Sequence, residues 1–261
     1  MKKRHVIALC AVLAIGLISL VSYAQDEPEK SQGYLIWEDH VIPAKAPAYE
    51  EAVKLHMGNF ADQEFPYTIN VFSADGYIYY WTVAIDKFAD IDTLYKKLGK
   101  VFKNTDEGIS DKIDEAYAGT YTHSKPWTCL WLRDYSYMPE LSETASDETH
   151  DFRSWGFCYV EMGKQDELKA VFTKWVELYR SKNISRGFNF YQGDVGTDMP
   201  FVFWSISDKN SLEFHKNDEV IREALGEEGG ELWKETEALL RGFEPVKGWY
   251  RNDLSYNPSE E

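Results

Sequence analysis

Arg133-Asp134-Tyr135-Ser136-Tyr137-Met138-Pro139 returns later in the chain as Arg251-Asn252-Asp253-Leu254-Ser255-Tyr256-Asn257-Pro258. Trp81-Thr82-Val83 with Asp86-Lys87 likewise returns as Trp204-Ser205-Ile206 with Asp208-Lys209. The offset is 119 residues for Val41/Val160, Lys45/Lys164, Phe72/Tyr191 and Tyr137/Tyr256, and drifts to 122–123 between them. Self-similarity at a fixed period marks a duplicated supersecondary unit, so the chain reads as one fold element written twice. A side chain kept in both copies serves the unit's fold more readily than a ligand, which needs one site.

Each copy has the same order of periodicities. In the first, Tyr34 to Val41, Pro66 to Ser73, Tyr77 to Ile85 and Trp127 to Asp134 read as strands. Between them, Tyr49, Ala52, Val53, His56, Met57 and Phe60 fall on one side of a helix entered through Pro43 and Pro47. Further helical stretches are expected at 91–102 and 110–117. In the second copy the strands are Ser154 to Val160, Gly187 to Gln192, Phe201 to Ser207 and Val246 to Asp253. Its helices are expected at 166–182, 211–225 and 231–240. The order β-α-β-β-α-β is the ferredoxin-like unit. Repeats at 34–139 and 153–258 are joined by an acidic, Ser/Thr-rich linker at 140–152.

The third strands add the decisive pattern. Tyr77-Ile78-Tyr79-Tyr80-Trp81 and Phe201-Val202-Phe203-Trp204 are apolar on both parities, so both faces of each sheet need cover. Helices cover one face and the other copy's sheet covers the second. The fold class is therefore α+β, with two antiparallel ferredoxin-like sheets facing each other as a pseudo-dimeric barrel. This topology resembles the dimeric α+β barrel superfamily, including antibiotic-biosynthesis-monooxygenase-like and NIPSNAP-like domains, some fused in tandem. The resemblance covers residues 34–257 and rests on topology and pattern. It implies a range of roles, since members include cofactor-free oxygenases, haem enzymes and proteins of unknown role.

The ends and the charge bound the setting. Lys2, Lys3 and Arg4, the apolar run Val6 to Val21, and Ser22-Tyr23-Ala24 form a signal peptide over 1–24, cleaved after Ala24. A short lead at 25–33 follows, and the mature chain is expected to be periplasmic or extracellular, with no membrane contact. Of 28 basic residues, removal of three leaves 25 against 44 acidic ones, a net charge of −19. Such a surface repels phosphate backbones, so nucleic acid is not expected as a partner. The duplication supplies the pseudo-dimer internally, and a monomer is expected. Cys129 and Cys158 lie in different predicted strands. Two buried thiols are the preferred reading, with a bridge as the alternative.

Phosphate-cradling loops, dinucleotide fingerprints, zinc-protease helices and nucleophile elbows are all absent from the sequence. Asn104-Thr105-Asp106-Glu107-Gly108 lacks calcium-loop spacing and reads as a turn beside a helix. No metal site is expected, because no two histidines share helical i, i+4 spacing. No cofactor is predicted. Haem stays an option through His215, beside Phe214 and Trp204, or through His56, because some barrel relatives take haem from the helical layer. Trp37, His40, Tyr79, Trp81, Phe203 and Trp204 are the candidate ligand-binding residues, one parity of which must face the barrel interior. Arg133 and Arg251 are candidate anchors for an anion, although their repetition favours a structural role. The leading expectation is a non-catalytic binder of an apolar or aromatic small molecule. The alternatives are a monooxygenase-like or haem-using enzyme, with His40, His56 or His215 as base or ligand, and a packed scaffold or partner-binding module.

Overall fold

The computed structural model describes residues 32–139 and 150–258, so the expected signal, most of the expected lead and 140–149 of the expected linker lie outside it. The first repeat runs β1 (Gly33–Val41), α1 (Ala46–Asp62), β2 (Asn70–Ala74), β3 (Ile78–Ile85), α2 (Ala89–Asn104), α3 (Glu107–Tyr117) and β4 (Tyr121–Trp131). The second runs β5 (Phe152–Val160), α4 (Gln165–Ser181), β6 (Asn189–Gly193), β7 (Phe201–Asp208), α5 (Ser211–Glu237) and β8 (Leu240–Tyr250). All eight strands close into one antiparallel barrel in the order β1-β3-β2-β8-β5-β7-β6-β4. Each repeat contributes the order 4-1-3-2, and the halves are sewn together where β2 meets β8 and β4 meets β6. Closure gives every strand a neighbour on each side, although each of the two seams spans only three residue pairs.

Strand alternation sorts the side chains. On β1, Leu35, Trp37, Asp39 and Val41 face the helices while Tyr34, Ile36, Glu38 and His40 face inward. Trp37 sits opposite Trp81 on β3. Three apolar clusters result: one under α1–α3, one under α4–α5, and one inside the barrel. Cys129 belongs to the interior cluster and Cys158 to the outer one of the second repeat; both are buried free thiols.

Several boundaries differ from the sequence reading, each for a local reason. β2 starts at Asn70 rather than at Pro66, which has no N–H to give a ladder. β4 and β8 begin about six residues early because Tyr121 to Pro126 and Leu240 to Pro245 pair with β1 and β5 despite polar, exposed faces. The helices expected at 211–225 and 231–240 are one element, α5, bent at Gly226, whose φ of 53° and ψ of −140° are open to glycine alone. Position 226 lies 119 residues after Glu107, the first residue of α3, so the bend is the second copy's version of the α2/α3 break.

The repeated Arg…Ser-Tyr-x-Pro stretches do not prolong the strands. Each curls into a 3-10 turn (Arg133–Tyr135, Asn252–Leu254) and then hooks the other repeat. Ser136 Oγ accepts from the Phe190 N–H at 2.9 Å, and Ser255 Oγ accepts from the Val71 N–H at 2.9 Å. Tyr137 donates to the Ile184 carbonyl and Tyr256 to the Phe65 carbonyl, each at 2.8 Å. The two tails are reciprocal latches between halves. Ser255→Ala leaves the N–H of fully buried Val71 without its partner, so urea unfolding should show a loss of about 1–3 kcal/mol.

A hollow copy and a filled copy of one cavity

The barrel interior is packed rather than hollow. Phe203 meets Trp127 at 5.9 Å, Phe157 at 5.6 Å and Tyr191 at 4.7 Å between centroids, filling the waist with rings. Small cups of about 270 and 210 Å³ lie towards its ends. The large cavity, about 750 Å³, lies outside the barrel, between the outer face of the first repeat's sheet and α1–α3. Its size is that of a pocket for a drug-sized molecule.

Helical and strand periodicity bring the lining together. Trp37 and Asp39 come from β1 and Trp81 from β3. α1 gives His56 and Phe60, α2 gives Tyr95, Leu98 and Phe102, and α3 gives Asp114 and Tyr117. Among these, the polar groups are few and specifically held. Trp81 Nε1 donates to Tyr49 Oη at 2.8 Å, and Tyr49 donates to Asp39 Oδ2 at 2.6 Å. Burial raises the Asp39 carboxyl above the usual range, against the hydrogen bonds from Ser124 and Tyr49.

His56 is the exceptional group. Its ring stacks on Phe60 at 4.6 Å and its Nδ1 lies 3.5 Å from the Tyr117 hydroxyl. Its Nε2 is buried with no hydrogen-bond partner. Buried polar atoms are nearly always paired, so an orphan in a cavity wall marks a place kept for something other than packing. Burial pushes the imidazole pKa down to about 4, with the Asp114 carboxylate pulling the other way. The ring is therefore neutral at pH 7. Between pH 6.5 and about 4 the unfolded chain takes a proton at this position that the folded chain refuses, so stability falls with pH across that window. The expected loss is on the order of 3 kcal/mol. It should appear as a gap between wild type and His56→Leu when urea midpoints at pH 7 and pH 4.5 are compared.

The second repeat holds the same position differently. At 119 residues' offset, Trp175 replaces His56, Trp233 replaces Asp114 and Thr236 replaces Tyr117. Trp175 Nε1 donates to Thr236 Oγ1 at 3.1 Å, and the remaining space is about 230 Å³. Gly156 stands where the first copy has Trp37, and the Trp204 ring lies over it; a Cβ there would sit 2.1 Å from that ring. Three indoles thus fill the second copy, and Trp175 Nε1 has a partner where His56 Nε2 has none. Duplication left one pocket open and plugged the other.

The sequence candidates scatter accordingly. Trp37 and Trp81 line the large cavity. Tyr79 faces the same helices but donates to Glu50 Oε1 at 2.7 Å, and Trp204 is packed against Phe243 at 5.4 Å. Of the aromatic strand candidates, only Phe203 faces the interior, and there it is filler. His40 lies at one barrel end, 2.7 Å from Glu38 Oε1 and stacked on His123 at 4.1 Å. His215 stands apart on α5, 3.5 Å from Lys247 Nζ. Arg251 pairs with Glu50 and Asp253, and Arg133 lies over the Trp131 ring at 4.4 Å. Neither is drawn into a cavity. Asp39, Asp114 and Tyr117 were missed by the sequence reading. Aligning the two copies and asking where polar groups face tryptophans finds Asp114 with His56, whereas Tyr117 faces Thr236.

Among the described residues there is no cluster of three His, Cys, Asp or Glu fit for a metal ion, and no helix long and apolar enough to cross a membrane. No family model matches the chain, and no curated protein does. Solved structures do. A candidate monooxygenase from Lactobacillus acidophilus aligns at TM-score 0.52 and 11% identity, over 87% of this chain and 97% of that one. An anthrone oxidase-like protein aligns at 0.53 and 14%, over 85% and 91%. A candidate monooxygenase from Fusobacterium nucleatum aligns at 0.53 and 9%, over 88% and 96%. At these identities the likeness is one of fold: the chain shares with these structures an α+β barrel, here closed from two ferredoxin-like repeats in a single polypeptide. The expectation of a non-catalytic binder is corrected here. The barrels that share the architecture are named for oxygenation and oxidation, and the cavity holds acid–base groups that simple apolar binding does not need.

Proposed function

We propose that the protein is an oxygenase- or oxidase-type enzyme that takes an apolar aromatic molecule into the first-repeat cavity and removes an acidic proton from it with His56. The observation that carries this reading is the unpartnered, neutral His56 in the one hollow copy of a duplicated cavity. Trp37, Trp81, Tyr95 and Phe102 would sandwich a planar ring system, and the relay of Trp81, Tyr49 and Asp39 would fix its polar edge. An activated CH₂ between two aromatic rings, conjugated through them to a carbonyl, loses a proton to His56, and the Asp114 carboxylate stabilises the imidazolium formed. The carbanion gives its electrons to O₂ and forms a hydroperoxide. Loss of the second C–H proton with cleavage of the O–O bond then yields C=O and water. The balance is CH₂ + O₂ → C=O + H₂O, with no reductant required.

Haem suits this cavity poorly. His56 offers a neutral imidazole, but Asp39 and Asp114 line the walls and no lysine or arginine does, so the two propionates would face carboxylates. The test is oxygen uptake by purified protein with anthrone, beside its absorbance spectrum. The expected result is catalysed uptake of one O₂ per anthrone by protein that shows no Soret band. Uptake no faster than in buffer, across anthrone and a panel of polycyclic phenols and ketones, would overturn the reading.

A further inference from the structure

The cup at one end of the barrel, about 270 Å³, is separate from the helical-layer cavity and differs from it in charge. Its walls are aromatic (Phe72, Trp155, Tyr191) and its rim carries hydroxyls (Tyr34, Ser205, Ser207). Arg153 stands among them, its guanidinium 5.7 Å from the Phe72 centroid. Nη1 donates to the Phe152 carbonyl at 3.1 Å and to the His150 carbonyl, while among the described residues no carboxylate forms an ion pair with it. In a chain with 44 acidic residues against 28 basic ones, a buried arginine that no described carboxylate meets in an ion pair, with Asp151 acting on it only through space, is unusual. Asn189, on the same wall, has a buried amide oxygen with no partner.

The duplication again separates scaffold from site. Asn70 and Asn189 are equivalent, as are Phe72 and Tyr191, so the wall is built twice. Arg153 is the exception, because its counterpart at 119 residues' offset is Tyr34. One arginine at the mouth of a pseudo-symmetric aromatic cup provides for one anion. We propose that this barrel end is a second binding site, taking a small aromatic carboxylate whose carboxyl group pairs with Arg153 and whose ring lies against Phe72 and Trp155. Guanidinium and carboxylate match in a two-point hydrogen-bonded pair, and Arg153 Nε and Nη2 make no hydrogen bond to another described residue. The ring walls favour an aryl anion over an inorganic one. Burial lowers the guanidinium's own pKa, a desolvation cost that a bound anion offsets.

The test is titration of the intact protein with benzoate, and separately with inorganic phosphate, by calorimetry and tryptophan fluorescence, since Trp127 and Trp155 line the cup. Benzoate should bind saturably and phosphate should not. Arg153→Met should weaken benzoate at least about tenfold with a melting temperature equal to or above wild type, and Arg153→Lys should restore part of the affinity. Ser207→Leu, which fills the cup and leaves Arg153 in place, should block binding and decides the matter if Arg153→Met does not fold. His56→Ala should bind benzoate like wild type, so failure here and failure of the oxygenase reading are distinguishable. No saturation up to roughly 10 mM, equal binding of phosphate, or wild-type affinity in Arg153→Met or Ser207→Leu would overturn the proposal.

Discussion

His56→Ala should lower oxygen uptake with anthrone by about 10²–10⁴-fold, the usual worth of a positioned acid–base group. The same variant should still fold at pH 7, its lost stack on Phe60 partly offset by removal of a buried nitrogen that has no partner. Turnover by the wild type should need the neutral ring. Its rate is therefore expected to fall on the acid side with a midpoint near the His56 pKa of about 4, and His56→Ala should lose that limb. A stopped assay of quinone product between pH 3.5 and 8 measures both. A wild-type-like rate in His56→Ala would move the base to Asp39, the carboxyl of the wall whose pKa burial raises.

The second large effect is the converse. Phe190→Ala should destabilise the protein by about 3–5 kcal/mol while leaving turnover at low temperature close to wild type. Phe190 is fully buried in the second repeat and stacks on Phe172 at 3.8 Å between centroids. Its removal opens a void beneath α4, in the copy whose pocket is already plugged by Trp175, Trp204 and Trp233. Denaturant unfolding and the anthrone assay, run on the same preparations, separate the two properties. One repeat would then carry the chemistry and the other the frame against which its sheet closes.

Much of that frame was legible in the chain. The 119-residue echo and the strands apolar on both parities lead to two facing ferredoxin-like sheets, and the barrel closes in that order. The latches were legible only as repetition. That Ser136 and Ser255 each bind a backbone N–H of the opposite half depends on sewing β2 to β8 and β4 to β6, contacts between residues far apart in sequence. The site was harder to read, because strand parity alone does not tell interior from helical face. Trp37 and Trp81 share a parity with Val83 and Leu35, and only the packing of α1–α3 shows that this is the outer side. Where the pocket lay was a matter of volume: the same two layers enclose 750 Å³ or 230 Å³ according to whether His56 or Trp175 fills the first helix's inner face. The counterparts Asp114/Trp233 and Tyr117/Thr236 carry that difference in the sequence itself.

The most direct test of the central claim is a crystal structure of the wild-type protein with anthraquinone, the product expected from anthrone. The account predicts one molecule per chain between the first repeat's sheet and α1–α3, its rings between Trp37, Trp81 and Phe102, with His56 against its reactive carbon. Density in the plugged copy beneath α4, in the barrel waist, or in neither repeat would contradict it.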